Sequence, residues 1–231
     1  MLLIVLDLQM RGNTLKVNAV QMIASIYIFL AVTSCLQVSA FAFFFQNPFQ
    51  QKTLVKGQEL PPEKILLSEL NDLIEESKNG VDSSKNEQVH TLMIKISESR
   101  KGDQRRFLPG QWQLIYTTEK EVNFFKTSWP FAKVSAISQV LDLYDSGVIN
   151  NSIKFEGGGE FLVTGTVEPA DSESGYDRVC FKFTEAVIKA WGKSFTIPPA
   201  GAGWFDTMFC DEEYRLSRDS RNDWSVFRRL N

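Results

Sequence analysis

Histidine is nearly absent from this chain. His90 is the single one in 231 residues, and it falls in a helical pattern ahead of the strand-rich region. Read there as a helix-surface residue, it leaves catalytic triads and multi-His zinc sites without their central group. Cysteine is almost as scarce, with only Cys35, Cys180 and Cys210. Cys180 and Cys210 lie in expected strands and read as free buried thiols, since two cysteines do not make a disulfide scaffold. An excess of positive charge is missing too. The net charge is −3, whereas a nucleic-acid binder carries a basic patch or stripe, so no nucleic-acid partner is expected. The last absence is local: between Asp7 and Glu59 there is no acidic residue, a trait of transit peptides.

What the chain has in quantity is large aromatics, with 18 Phe and five Trp. Such side chains dominate the burial energy of cores and of binding cavities. Ahead of them stands a leader. Residues 22–40 read MIASIYIFLAVTSCLQVSA, an apolar run ending in Val38-Ser39-Ala40, which satisfies the small-residue rule for signal-peptide cleavage. Polar Ser25, Thr33, Ser34, Gln37 and Ser39 dilute the run and favour a cleaved signal over a membrane anchor. The expected division is a signal peptide over 1–40, a transit peptide or linker over 41–60, and one domain over 61–231.

The domain opens on two helical patterns, together about residues 61–101. Pro61 and Pro62 suit a first turn, and Ile65, Leu66, Leu70, Leu73 and Ile74 recur at helical spacing up to a stop at Gly80. Ser84-x-x-Glu87 matches a capping box, followed by Val89, Leu92, Met93 and Ile96 on one face, with Gly102 as the stop. From about residue 108 the period changes to two. Trp112, Leu114 and Tyr116 share a face, as do Ile149, Asn151, Ile153 and Phe155, and Val179, Phe181 and Phe183. Further strands are read around Phe161–Val167, Trp204–Phe209, Tyr214–Leu216 and Trp224–Val226. Turn signals punctuate them at 145–147, 157–159, 173–175 and 221–223. About eight short strands at this spacing point to a sandwich or a barrel, and eight strands close into a barrel that holds one small ligand. The two helices are expected to cover or plug one opening.

Candidate sites are few. Gly157-Gly158-Gly159 lacks the Lys and the helix of a phosphate loop and reads as a turn. Asp211-Glu212-Glu213 reads as a solvated acidic turn, so no metal site is expected. Asp206 shares a strand face with Trp204 and Met208, and an acid on an apolar face needs a partner. Arg178 and Arg215 are its candidates for a structural ion pair. Trp112, Tyr116, Phe183 and Trp204 are the candidates for lining a ligand cavity, and each reads equally well as solid core.

Several separated stretches then carry a family likeness. Residues 198–215, PPAGAGWFDTMFCDEEYR, resemble the closing motif of the plastid lipid-associated protein family, the fibrillins, and Arg218-Asp219-Ser220-Arg221-Asn222-Asp223 resembles its Arg-rich hairpin. Residues 108–120, LPGQWQLIYTTEK, resemble its opening strand, and Arg178–Phe183 a mid-domain strand. Asn222 stands where the family usually has Gly, a change Asn tolerates, and Cys210 replaces a larger apolar residue. The resemblance covers about residues 65–229. It implies a mainly β fold, a lipocalin-like antiparallel β-barrel with two N-terminal α-helices. It also implies residence in plastids, at thylakoids or plastoglobules, with lipids, carotenoids or quinones as lipophilic partners, peripheral membrane association, no cofactor and no catalytic residues. Ser39-Ala40-Phe41-Ala42 then resembles the junction between signal and transit peptides of algae with complex plastids. The first expectation is non-catalytic binding or organisation of hydrophobic molecules. A structural coat on plastid lipid droplets, without a cavity, and an enzyme acting on a lipophilic substrate through an acid such as Asp206 are the alternatives.

Overall fold

The computed structural model describes residues 61–230 apart from Lys101, Phe131, Trp191, Pro199 and Ala200. The leader and its expected cleavage points lie outside the described residues. Among those described, no helix is long and apolar enough to cross a membrane.

Helices α1 (Pro62–Glu76) and α2 (Asn86–Glu98) come first. Proline in the first turn of α1 costs no hydrogen bond, because those N–H groups have no partner inside a helix. The chain leaves α1 through a tight turn in which Gly80 N donates to Ser77 Oγ at 3.0 Å and Ser77 Oγ donates to Ile74 O at 2.8 Å. Gly80 has φ +91°, and a Cβ there would lie 2.1 Å from the Thr117 carbonyl oxygen. Only glycine fits. The entry to α2 differs from the expected capping box. Asp82 Oδ1 accepts from Ser84 N at 3.0 Å and starts a 3₁₀ turn over Ser83–Lys85 that runs into the helix.

Nine strands follow: β1 (Gly110–Thr117), β2 (Val134–Asp142), β3 (Val148–Phe155), β4 (Glu160–Ala170), β5 (Asp177–Ala190), β6 (Lys193–Ile197), β7 (Ala202–Cys210), β8 (Tyr214–Asp219) and β9 (Trp224–Arg229). A short helix α3 (Lys120–Thr127) lies between β1 and β2. All pairings are antiparallel. The order β1-β2-β3-β4-β5-β7-β8-β9 returns to β1, so eight strands close a lipocalin-like barrel. The fourteen-residue β5 serves two partners along one edge: Asp177–Lys182 pair with β7, and Ala186–Ala190 pair with the extra strand β6.

The two N-terminal helices do not plug an opening. They lie on the outer wall, where Leu67, Leu70, Ile74, Val89, Leu92, Met93 and Ile96 pack on Tyr116, Met208, Phe209, Tyr214, Leu216, Trp224 and Val226. Each fully buried aliphatic side chain of this layer contributes about 1.5–3 kcal/mol. The reason for the placement is the wall itself. Strands β7, β8 and β9 are apolar on their outward face, and that face has to be covered. Inside the barrel a second cluster of Leu108, Trp112, Leu141, Leu143, Ile149, Val167, Val179, Phe205, Cys210 and Phe227 forms the other core.

Helix α3 takes the covering role expected of α1 and α2. Phe125 stands 6.1 Å from Phe155 and 6.0 Å from Phe161, and Trp129 stacks 6.1 Å from Phe155. By strand alternation Phe155 shares the inward face of β3 with Ile149 and Asn151. The helix therefore lies across the upper end of β3 and β4. Asn123 Nδ2 ties it down, donating to Gly80 O at 3.2 Å and Thr117 O at 3.0 Å.

Candidate functional site

Two β-bulges decide which side chains reach the lumen. In β1 the pairing with β9 shifts between Leu114 and Tyr116. One extra residue in a strand turns every later side chain to the other face. Trp112 and Leu114 consequently stay inside, while Tyr116 is turned outward under the helices, where its hydroxyl donates to Asn86 Oδ1 at 3.0 Å and lies 3.2 Å from His90 Nε2. In β7 the shift falls between Thr207 and Phe209. Phe205 and Cys210 face the lumen core, and Met208 and Phe209 face the helices.

The lower half of the barrel is filled. Trp112 is fully buried there and donates from Nε1 to Leu108 O at 2.9 Å, and the Arg229 guanidinium lies 4.1 Å from its ring centre. Burial raises the nearby Cys210 thiol to about 12, so it stays protonated. The upper half is hollow. A cavity of about 280 Å³ opens at the end where β7 begins and β8 turns into β9. Its apolar wall is Ile149, Phe181, Phe183, Phe205 and Phe227, and its polar wall is Gln139, Asn151, Arg215, Ser217 and Ser225. Of the four side chains expected to line a cavity, Phe183 does so and Trp112 lies in the packed lower half. Tyr116 and Trp204 stand outside.

Asp206 lies on the outer wall opposite Arg178 in the β5–β7 register. It accepts from Arg178 Nε at 2.7 Å and Nη2 at 2.8 Å, and Ser174 Oγ adds a third contact at 3.1 Å. The same guanidinium lies 3.7 Å from the Trp204 ring centre. Arg215, expected beside Asp206, is instead on the inward face of β8. Asp211 folds the β7–β8 turn by accepting from Glu213 N at 2.7 Å and Tyr214 N at 2.6 Å. Asn222 has φ +69°, the left-handed conformation the β8–β9 turn requires.

Arg215 is the unusual group. Its side chain is among the most buried in the protein, with 1% exposure. Nη2 donates to Gln139 Oε1, and Gln139 Nε2 in turn donates to Asn151 Oδ1 at 2.8 Å. Nε and Nη1 have no hydrogen-bond partner among the described residues. The guanidinium lies 4.0 Å from the Phe227 ring centre and 5.4 Å from that of Phe205. Burial pulls it down to about 10, which leaves it charged at neutral pH.

The cavity mouth is acidic and braced by Arg221. Arg221 bonds Glu119 and Glu121 at 3.0 Å each and lies 3.6 Å from both Asp219 and Asp223. This joins the β8–β9 hairpin to the start of α3. Burial raises Glu119 to about 7 against the pull of Arg221. Sequence reasoning placed Arg221 in a turn and a likeness motif, put Asn151 on one strand face with Ile149, and missed Gln139, Ser217 and Ser225. Polar residues on a strand read as the solvent face, and here that face is the lumen.

The stretches from Gln111 to Trp129, Arg178 to Phe183 and Trp204 to Asp223 thus build one wall, its cavity and its rim. The PAP_fibrillin family matches residues 64–228, both helices and nearly the whole barrel. The chain belongs to the PAP/fibrillin family. Within that family it is similar to an Arabidopsis thaliana protein described as "Probable plastid-lipid-associated protein 11, chloroplastic", with 29% identity over 165 residues, 68% of this chain and 76% of the relative. No solved structure gives a significant match. PAP/fibrillin membership carries a plastid lipid-associated role, structural or binding.

Proposed function

We propose that this PAP/fibrillin protein is a non-catalytic carrier or organiser of a hydrophobic plastid molecule, held in the upper barrel lumen. The observation that carries the reading is the cavity of about 280 Å³, open at one end and lined by four phenylalanines. That volume is just below the range of ligand pockets, about 300–1,000 Å³. It accommodates one end of a long lipid, quinone or carotenoid, with the remainder passing out of the mouth past Phe183 and the start of β7. The plastid setting rests on the chloroplastic relative and on the acid-poor leader, with thylakoids or plastoglobules as the site of peripheral association.

Ser217→Phe is the test. Ser217 lines the cavity, is 4% exposed, and would project a large side chain into it. Lipids carried by the purified protein are extracted and identified by mass spectrometry. The wild-type protein should carry a plastid lipophile that Ser217→Phe lacks, with thermal unfolding of the variant unchanged within a few degrees. Equal lipid content in both would favour a coat that uses only its outer surface.

A further inference from the structure

Among the described residues, no carboxylate forms an ion pair with the charged group in the lumen. Arg215 lines the cavity, and its Nε and Nη1 are buried without acceptors among the described residues. Gln139 Oε1 occupies Nη2 and is neutral. The charged neighbours that act on Arg215 are another guanidinium, Arg229, and a thiol, Cys210, that burial keeps protonated. Asp206, the acid nearest in expectation, is on the far side of the wall, gripped by Arg178. Aromatic faces at 4.0–5.4 Å compensate the guanidinium in part. They leave its N–H donors unmet, and buried donors without acceptors cost about 1–3 kcal/mol each, more for charged groups. A protein retains such a group where something else supplies the acceptor.

Resting on the lumenal reading above, we propose that Arg215, supported by Gln139, is the recognition site for the head of the ligand, and that the ligand is a single-chain amphiphile with one carboxylate. The head enters first and meets Arg215 between Phe205 and Phe227, and the chain trails along Phe181 and Phe183 to the mouth. A carboxylate matches a guanidinium through charge-assisted hydrogen bonds. The rim argues for a monoanion over a phosphate. Glu119, Glu121, Asp219 and Asp223 surround Arg221, and this acidic ring opposes a dianion more strongly than a monoanion.

Calorimetric titration with dodecanoate, dodecanol and dodecyl phosphate tests this on the wild-type protein and on Arg215→Met. The wild type should bind dodecanoate at least about tenfold tighter than dodecanol, or about 1.4 kcal/mol, and tighter than dodecyl phosphate. Arg215→Met should remove that preference while dodecanol binding persists. The comparison of heads in the wild type needs no variant, so it decides the matter even if Arg215→Met does not fold. Equal binding of dodecanoate and dodecanol by the wild type overturns the role of Arg215 and leaves lumenal binding standing. A dodecyl phosphate preference overturns the monoanion assignment. Binding of none of the three overturns both.

Discussion

Arg178 holds Asp206 through two hydrogen bonds, 2.7 Å from Nε and 2.8 Å from Nη2, while its guanidinium covers the Trp204 ring. The pair spans β5 and β7 on the outside of the barrel, away from the cavity. It is a structural clamp at a strand junction, and this separates Asp206 from any acid–base role in the lumen.

Asp206→Asn is therefore expected to lower the thermal midpoint by a few degrees and to leave the identity and amount of bound lipid unchanged. Arg178→Lys should not restore the midpoint in full, because an ammonium cannot reproduce the two-point geometry. Differential scanning calorimetry beside lipid extraction checks both. A changed lipid profile with unchanged stability would revive the enzymatic reading.

Gly80 gives a sharper stability test. Its φ is +91°, and the added methyl of Gly80→Ala would meet the Thr117 carbonyl oxygen at 2.1 Å. Strain at such a position costs about 1–3 kcal/mol, and here the backbone neighbour cannot rotate away. Urea denaturation should show a loss of at least that size. Gly157→Ala, also at positive φ but with nothing within 4 Å, should lose less.

His90 makes stability depend on pH. The ring stacks on Trp224 at 4.4 Å and lies beside Tyr116, with Asn86 on its own helix and Arg218 on β8 nearby. Burial first, then Arg218, lower its pKa from 6.5 to about 4. Between these values the unfolded chain binds the extra proton, so the His90 contribution is complete above about pH 6.5 and is lost as pH falls toward 4. Glu119 acts in the opposite sense. Its pKa is raised to about 7, so its contribution declines as pH rises from about 4.5. Subtracting the stability curve of His90→Gln from that of the wild type isolates the first effect. The difference should grow with pH across 4–6.5, by less than about 1.4 kcal/mol per unit for this half-buried ring. A flat difference would place His90 in solvent.

The strands were legible because their alternation is strong: Ile149, Asn151, Ile153 and Phe155, or Val179, Phe181 and Phe183, admit no helical reading. The faces were less legible. Bulges at Leu114–Tyr116 and Thr207–Phe209 flip the pattern, which moved Tyr116 out of the expected cavity. Trp204 was misplaced for a different reason. The outward face of β7 and β8 is itself apolar, Trp204 lying under Arg178 and Met208, Tyr214 and Leu216 under α1 and α2, so the usual rule of apolar inside selects the wrong side. The same inversion hid Ser217, whose polarity suggested solvent, and set Arg215 beside Asp206 when it faces the lumen. Helix α3 escaped because eight residues containing Val122, Phe124 and Phe125 show barely two turns of periodicity. Strand β6 is equally short, a five-residue edge strand outside the closed ring.

The central claim is that the upper lumen binds one lipophilic molecule per chain. Titration of the wild-type protein and Ser217→Phe with dodecanol, read by calorimetry, measures this directly. One site in the wild type, abolished in a variant that unfolds at the same temperature within a few degrees, is the predicted result. Undiminished binding by Ser217→Phe would contradict the claim and place the lipid on the outer surface.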